Sequence, residues 1–193
     1  MKEKKERKRW GLILFLVIIM IGTSFSVFFY GGSPQNEIVK YNGIKFVSSS
    51  NQGPWIAKVN GKEAAFSFLP TEVETINVNG DIEKLNGKFE IDVTSDVNST
   101  YKEAIALAHH QMTLTLAPYN VFIRQGFTTN STFNVPIISC DDATSNVPVV
   151  YFVYGNSTSI SLENDCILVK ASTDADFIKT KDRLLYGILG VIK

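Results

Sequence analysis

The chain has 193 residues, and its nineteen Lys and Arg balance its nineteen Asp and Glu, so the formal net charge is zero. This balance hides a division, because residues 1–10 hold six Lys/Arg against two Glu, whereas residues 31–193 hold 13 Lys/Arg against 17 Asp/Glu. A mildly acidic main part argues against nucleic acid as a partner. No P-loop, G-x-G-x-x-G, H-E-x-x-H or G-x-S-x-G motif occurs in the sequence, so no common catalytic class is indicated.

Residues 11–30, GLILFLVIIMIGTSFSVFFY, form an uncharged run. At about 1.5 Å of rise per residue, a helix of this length spans roughly 30 Å, the thickness of the hydrocarbon core of a bilayer. Trp10 precedes the run and Phe28, Phe29 and Tyr30 end it, and aromatic rings of this kind are enriched at membrane interfaces. We therefore expect a transmembrane helix that places residues 11–30 in the lipid bilayer. A cleaved signal peptide is the alternative.

The basic residues 1–10 set the expected orientation of this helix. Segments rich in Lys and Arg stay on the cytoplasmic side of a membrane. We therefore expect a single-pass protein of the cell membrane, a signal-anchor type with its N-terminus in the cytoplasm and its C-terminal domain outside. Residues 31–36, GGSPQN, have the composition of a linker, and residues 37–193 have the usual size of one domain.

Two cysteines, Cys140 and Cys166, are present. Their expected position outside the cytosol favours a disulfide between them, which would stabilise the fold by about 3 to 4 kcal/mol in the chain-entropy model. A catalytic cysteine would need a nearby base, yet the two histidines, His109 and His110, are adjacent on a predicted helix and point about 100° apart. A zinc site, a nucleophile and unpaired thiols stay open as less favoured alternatives. The sequence indicates no catalytic residue, no metal ligand and no cofactor.

The first part of the domain has strand patterns. The dipeptide Asn-Gly at 42–43 and again at 60–61 lies between apolar or β-branched runs, as in two-residue hairpin loops that tolerate positive φ. We predict a four-stranded antiparallel meander over residues 37–68. A further strand is expected after Pro70, within a meander region that extends to residue 87.

The pattern changes over residues 88–193, for which we predict an α/β part. Residues 88–95 alternate as a strand with one buried face does, and residues 120–128 are the next predicted strand. Between them, apolar residues recur on one face of a helix, with Thr100 and Glu103 in capping-box positions at its start. A strand, helix, strand unit is therefore expected, and its crossover is right-handed if the strands pair side by side.

The last part of the chain contains two strands and a helix. Residues 147–155 and 165–172 are apolar on both faces, as in strands at the centre of a sheet that is covered on two sides. Thr173 and Asp176 are placed to cap a C-terminal helix, and Lys181 interrupts its apolar face, so we expect the Lys181 stem to snorkel. The predicted fold class is α+β: an N-terminal transmembrane helix, an antiparallel β-meander, and a mixed sheet with two packed helices.

Residues 128–147 are the most irregular segment, and long connections of this kind in compact domains tend to be functional. We expect binding there and take Phe133, Asp141 and Asp142 as binding-loop candidates. The two carboxylates loosely resemble calcium ligands, but the Gly and the distal Glu of an EF-hand loop are missing. Turn-forming carboxylates at a strand end are the favoured interpretation.

Three Asn-Ser-Thr triplets begin at Asn98, Asn130 and Asn156. Each is an N-glycosylation candidate if the domain is exported by a host with the necessary enzymes. All three fall near predicted turns on the outer side of the membrane.

The sequence resembles uncharacterised membrane-anchored ectodomain proteins of small-genome (DPANN-type) archaea. The resemblance rests on the basic tail and single span, the Asn-Gly-rich meander, the SCDDAT and NDCILV cysteine contexts and the closing DRLLYGILGVI. It covers most of the chain and implies a fold and a cell-surface setting, without any catalytic residue.

The expected function is a non-catalytic envelope or surface-complex module that binds another protein through residues 128–147 or an exposed meander edge. The alternative is a membrane-tethered hydrolase or transferase that acts on envelope glycans or peptides, with Asp141 and Asp142 as acid, base or metal ligands. A third hypothesis is capture of a small ligand in a cleft of the sheet.

Overall fold

The computed structural model describes residues 13–21, 37–48 and 53–192, and the chain divides into two compact units, residues 1–35 and 36–193. In the first unit, residues 13–21 are helical (α1) and exposed. No helix within these described ranges is long and apolar enough to cross a membrane. The rest of the span predicted at 11–30 lies outside the described residues, so the transmembrane helix stays a prediction.

The second unit begins with a four-stranded antiparallel sheet in the order β1-β2-β3-β4. Its strands are β1 (Glu37–Tyr41), β2 (Ile44–Ser48), β3 (Trp55–Val59) and β4 (Lys62–Phe66). Both Asn-Gly dipeptides form the expected hairpin turns, with φ of 47° and 80° at Asn42 and Gly43 and of 49° and 81° at Asn60 and Gly61. Positive φ at both central positions suits the right-handed twist of the flanking strands. The predicted meander is confirmed.

A six-stranded mixed sheet follows, in the order β5-β9-β10-β8-β6-β7. Its strands are β5 (Asn77–Asn79), β6 (Glu90–Ser95), β7 (Phe122–Phe127), β8 (Val149–Tyr154), β9 (Ser159–Glu163) and β10 (Cys166–Ala171). Strands β7, β6, β8 and β10 are parallel to one another, whereas β9 runs antiparallel to β10. The interior positions predicted for β8 and β10 are confirmed.

The region after β4 differs from the prediction in one respect. Residues Pro70–Val73 form a short helix, α2, and the strand that follows, β5, pairs with β9 of the six-stranded sheet. The meander therefore ends at Phe66. Strand β9 was not predicted, although Ile160 and Leu162 alternate with polar residues over its five positions.

Two longer helices complete the fold, α3 (Lys102–Leu116) and α4 (Asp174–Ile188). The cap predicted for α4 is confirmed, since the amide of Asp176 donates to Oγ1 of Thr173 over 3.2 Å. The capping box predicted at Thr100 is wrong. Helix α3 begins one residue later than a Thr100 cap requires, and Oγ of Ser99 accepts from the amide of Tyr101 instead.

Helices α3 and α4 lie between the two sheets, and one hydrophobic core joins them to both. On one side the ring of Tyr186 stacks on Phe66 with centroids 4.2 Å apart. On the other side the core contains helix-facing residues of the large sheet such as Ile91 and Val150. The face predicted for α3 is confirmed by the burial of Ala104, Ile105, Ala108, Met112 and Leu116.

The position of α4 between the two sheets explains why the side chain of Lys181 is buried, although we expected it to snorkel to solvent. The side chain is buried and forms an ion pair with Asp182, itself buried. Asp182 also accepts hydrogen bonds of 2.8 Å from the amides of Ser67 and Phe68. The expectation is wrong because α4 is covered on both sides over its second half, so the stem of Lys181 has no route to solvent.

Candidate ligand site at the carboxyl ends of β6 and β7

The irregular segment 128–147 is held against the six-stranded sheet by the predicted disulfide. Cys140 and Cys166 are bonded, with their sulfurs 2.03 Å apart. Cys166 begins β10 and, since side chains alternate along a strand, points away from the helix-facing Ile167. Together with Val149 and Ile138 it forms a second, smaller buried cluster. The segment therefore covers the sheet face opposite the helices.

Backbone contacts fix the same segment along β7. The amide of Ile138 donates to the carbonyl of Phe127 over 2.8 Å, and the amide of Phe127 donates to the carbonyl of Pro136 over 3.1 Å. Gly126 allows this approach, because a Cβ there would lie 2.6 Å from the Pro136 oxygen. A glycine inside a strand pattern is the sequence signal that could have indicated such a close approach.

A cavity of about 430 Å³ opens where β6 and β7 end, between α3 and the first part of this segment. Much of its wall is apolar and comes from Val97, Ala106, Phe127, Phe133 and Val135. Open α/β sheets bind ligands outside the carboxyl ends of their parallel strands. The volume also falls within the range of roughly 300 to 1,000 Å³ typical of small-molecule sites.

His109 is the buried titratable group of this cavity. Its side chain is 5% exposed and meets the ring of Phe152 edge-on, with centroids 5.0 Å apart. Burial lowers the pKa of His109 to about 4, so the imidazole is neutral near pH 7. Its Nε2 atom has no hydrogen-bond partner among the described residues. The adjacent His110 is exposed.

The mouth of the cavity is polar. Lys102 and Glu103, in the first turn of α3, line it and are both exposed. Helical residues about four and seven positions apart share a face, so Lys102, Ala106 and His109 form one row along α3. This row leads from charged side chains at the surface to a neutral, buried imidazole.

The structure separates the three binding-loop candidates. Phe133 lines the cavity, and its ring centroid lies 5.9 Å from that of Phe127. Asp141 and Asp142 lie in the short turn Cys140–Asp142 and do not line this cavity. Asp142 accepts hydrogen bonds from the amide and the hydroxyl of Ser139, at 2.8 and 3.0 Å, and these bonds lower the pKa of Asp142. It therefore acts as a turn cap, as the favoured interpretation held.

A charged pair under the same segment was not predicted. The guanidinium of Arg124 in β7 forms a bidentate ion pair with Asp92 of β6, in which Nε donates to Oδ1 over 2.7 Å and Nη2 donates to Oδ2 over 2.6 Å. Asp92 is 1% exposed, and Nε of Arg124 also lies 3.4 Å from Glu90. The pair neutralises a buried carboxylate on the face that segment 128–147 covers. Across the described ranges, no group of three or more His, Cys, Asp or Glu could hold a metal ion.

The three glycosylation candidates share one edge of the sheet. Asn98, Asn130 and Asn156 are exposed, and they follow β6, β7 and β8 respectively. These strands are parallel neighbours, so their carboxyl ends lie at the same edge. The cavity opens at that edge too.

Comparisons with family models, with curated proteins and with solved structures found no match to this chain. The resemblance to archaeal ectodomain proteins therefore stays a prediction.

Proposed function

We propose that this chain is a membrane-anchored, extracytoplasmic binding module that holds a small, mainly apolar molecule in the cavity between α3 and the ends of β6 and β7. The observation that carries the proposal is the cavity itself, with its volume of about 430 Å³ and its largely apolar wall. A recess of this size and composition suits a small molecule.

The anchor and the export belong to the proposal and have separate support. The uncharged run at 11–30 and the basic residues before it are typical of a retained signal anchor. The Cys140–Cys166 bond is of a kind that forms and persists outside the cytosol. Exposure of all three sequons is what glycosylation on the outer side would require.

A binding role has more support than the hydrolase or transferase alternative. That alternative needs Asp141 and Asp142 to converge on a substrate, yet neither residue lines the cavity. The hydrogen bonds that Asp142 accepts from Ser139 keep its carboxylate ionised, which makes it a poor proton donor.

A second candidate function, binding of an envelope protein, is favoured by exposed apolar side chains on segment 128–147. Phe133 is 61% exposed, Val135 41% and Ile137 57%, and neighbouring apolar side chains of this kind mark interaction surfaces. Cross-linking in native membranes tests this candidate: a specific adduct on this segment supports it. Recovery of the chain as an uncross-linked monomer would count against it.

Ligand binding can be tested with the uncharged fluorophore N-phenyl-1-naphthylamine and the full chain. We expect saturable binding at one site. Ala106→Phe places a ring in the cavity and should weaken binding by at least about tenfold. The matched control is Leu114→Phe, which puts the same ring on an exposed position of α3 outside the cavity and should leave the affinity unchanged.

Two results would contradict the proposed ligand site. The first is a fluorescence increase that never saturates, which would indicate partition of the probe into detergent alone. The second is an equal loss of binding in Ala106→Phe and Leu114→Phe, which would place the probe elsewhere on α3.

A further inference from the structure

We propose that the cavity selects an apolar molecule that carries one uncharged hydrogen-bonding group, a hydroxyl above all, and that His109 binds this group. The inference rests on the proposed function and names the class of ligand for the same site. It depends on three features of the cavity: an unpartnered buried nitrogen, the neutrality of the ring, and the order of side chains along α3.

The first feature is the unsatisfied Nε2 of His109. A buried polar atom without a partner destabilises the fold, and such atoms are few in native proteins. Within the described part of the chain, no residue supplies a hydrogen bond to this atom, and the ring meets an aromatic edge at Phe152. His109 lies in the wall of the cavity and its Nε2 atom is closed to solvent, so a bound molecule that displaces the lining side chains around the ring can provide the missing partner.

The second feature is the neutrality of the imidazole. Burial disfavours its charged form and lowers the pKa of His109 to about 4, and a carboxylate or ammonium placed beside it would suffer the same loss of hydration. An uncharged group avoids that cost. A hydroxyl both donates and accepts, so it can pair with either tautomer of the ring.

The third feature is the order of side chains along α3, which are charged at the mouth of the cavity and neutral at its buried end. Lys102 and Glu103 are exposed at the mouth, whereas His109 is 5% exposed. Between them the wall is formed by Ala106 of α3 and by Phe133 and Val135 of segment 128–147. A ligand with an apolar body and a polar group at its buried end matches this order.

The experiment compares p-cresol with toluene, two probes that differ by a single hydroxyl. Both are titrated against the full chain while the ¹⁵N signals of the His109 ring are followed by NMR. We expect p-cresol to shift these signals more than toluene does. Part of each probe partitions into the detergent, to the same extent for every variant. We therefore compare the ratio of the p-cresol affinity to the toluene affinity between variants.

In His109→Phe, which keeps an aromatic ring against Phe152, we expect the preference for p-cresol over toluene to fall about tenfold while toluene still binds. His109→Gln retains a donor and an acceptor and should keep part of the preference. His110→Phe makes the same substitution at the exposed neighbour and should behave like the unsubstituted chain.

The possible failures are distinguishable. If neither probe binds the unsubstituted chain, the proposed function and this inference both fail. If both probes bind and His109→Phe leaves their affinity ratio unchanged, the inference fails and the ligand site stands. If His109→Phe does not fold, the ring signals of the unsubstituted chain decide: equal shifts with the two probes would overturn the role of His109.

Discussion

The buried imidazole of His109 has an Nε2 atom without a hydrogen-bond partner, which destabilises the fold, and the same atom is the one that we propose binds the ligand. Adjacent residues on a helix point about 100° apart, and in α3 His109 is buried whereas His110 is exposed. The cavity beside His109 could not be predicted, because its other wall comes from residues far away in the sequence. Helical periodicity reports which face is buried, and the partner of that face follows from the tertiary fold.

A pH dependence of stability follows from the burial of His109. Its pKa falls from 6.5 to about 4 on folding, so the unfolded chain binds this proton more tightly. The contribution to stability is complete above about pH 6.5 and is lost as the pH falls towards about 4, by at most about 3 kcal/mol. The measurement is the free energy of urea unfolding near pH 7 and near pH 4.5.

His109→Phe should reduce the loss of stability between these two pH values, whereas His110→Phe should retain it in full. Carboxylates are common to both variants, so their contribution cancels in the comparison. An identical loss in the two variants would mean that His109 does not carry this dependence.

Lys181 and Thr100 illustrate why other single residues were misread. The sequence indicates that a lysine interrupts an apolar face, but it does not indicate that Asp182 and two backbone amides are available to satisfy the buried charges. At Thr100 the local motif fits a cap, but in the structure Tyr101 is the N-cap residue and no side chain caps the helix. Short motifs compete with alternatives only one residue away, and tertiary contacts decide between them.

At the scale of elements, turn chemistry was sufficient for the meander, alternation for β6, and continuous apolar runs for β8 and β10. They were insufficient for β5, whose sheet could not be assigned, because three residues carry too little pattern to choose between partners. Segment 128–147 was correctly singled out as irregular. Its position over the large sheet follows from the disulfide and from contacts along β7, which sequence spacing does not contain.

Gly126→Ala tests whether segment 128–147 depends on close approach to β7. The new Cβ would lie 2.6 Å from the Pro136 oxygen and 2.7 Å from the Ile138 side chain. The segment must then move, at a cost of about 1 to 3 kcal/mol. We expect faster hydrogen exchange at the amide of Ile138, which donates to Phe127, and a lower free energy of unfolding.

Gly155→Ala is the matched control for this substitution. A Cβ there meets the Cβ of Lys170 in β10 at 3.1 Å, so any adjustment falls on the pair β8 and β10 rather than on β7, and exchange at Ile138 should not change. Protection of Ile138 that is equal in the two variants would show that the segment does not depend on the missing Cβ of Gly126.

At the scale of the whole molecule, the strand order brings the loops after β6, β7 and β8 to the same edge of the six-stranded sheet. The loops after β6, β7 and β8 lie far apart in the sequence, yet each carries an Asn-Ser-Thr triplet, and all three lie at the edge of the sheet where the parallel strands end. The sequence contains the triplets but not the strand order, so their common edge could not be predicted.

Export, glycosylation and the disulfide can be measured together on protein from its native host. The intact mass is determined after alkylation without reduction. We expect no alkyl adduct because Cys140 and Cys166 are bonded, and we expect residues 11–30 to be retained. In a host that glycosylates, mass increments should appear on the peptides that contain Asn98, Asn130 and Asn156.

Reduction before alkylation is the control and should give two adducts. It should also lower the free energy of unfolding by about 3 to 4 kcal/mol, because an open chain regains the entropy that the bridge removes. Two adducts without reduction would place the domain in a reducing compartment and contradict the exported topology. Loss of residues 11–30 with the bond intact would instead mean that the domain is secreted through a cleaved signal peptide, since the disulfide requires export while the anchor requires retention of that segment.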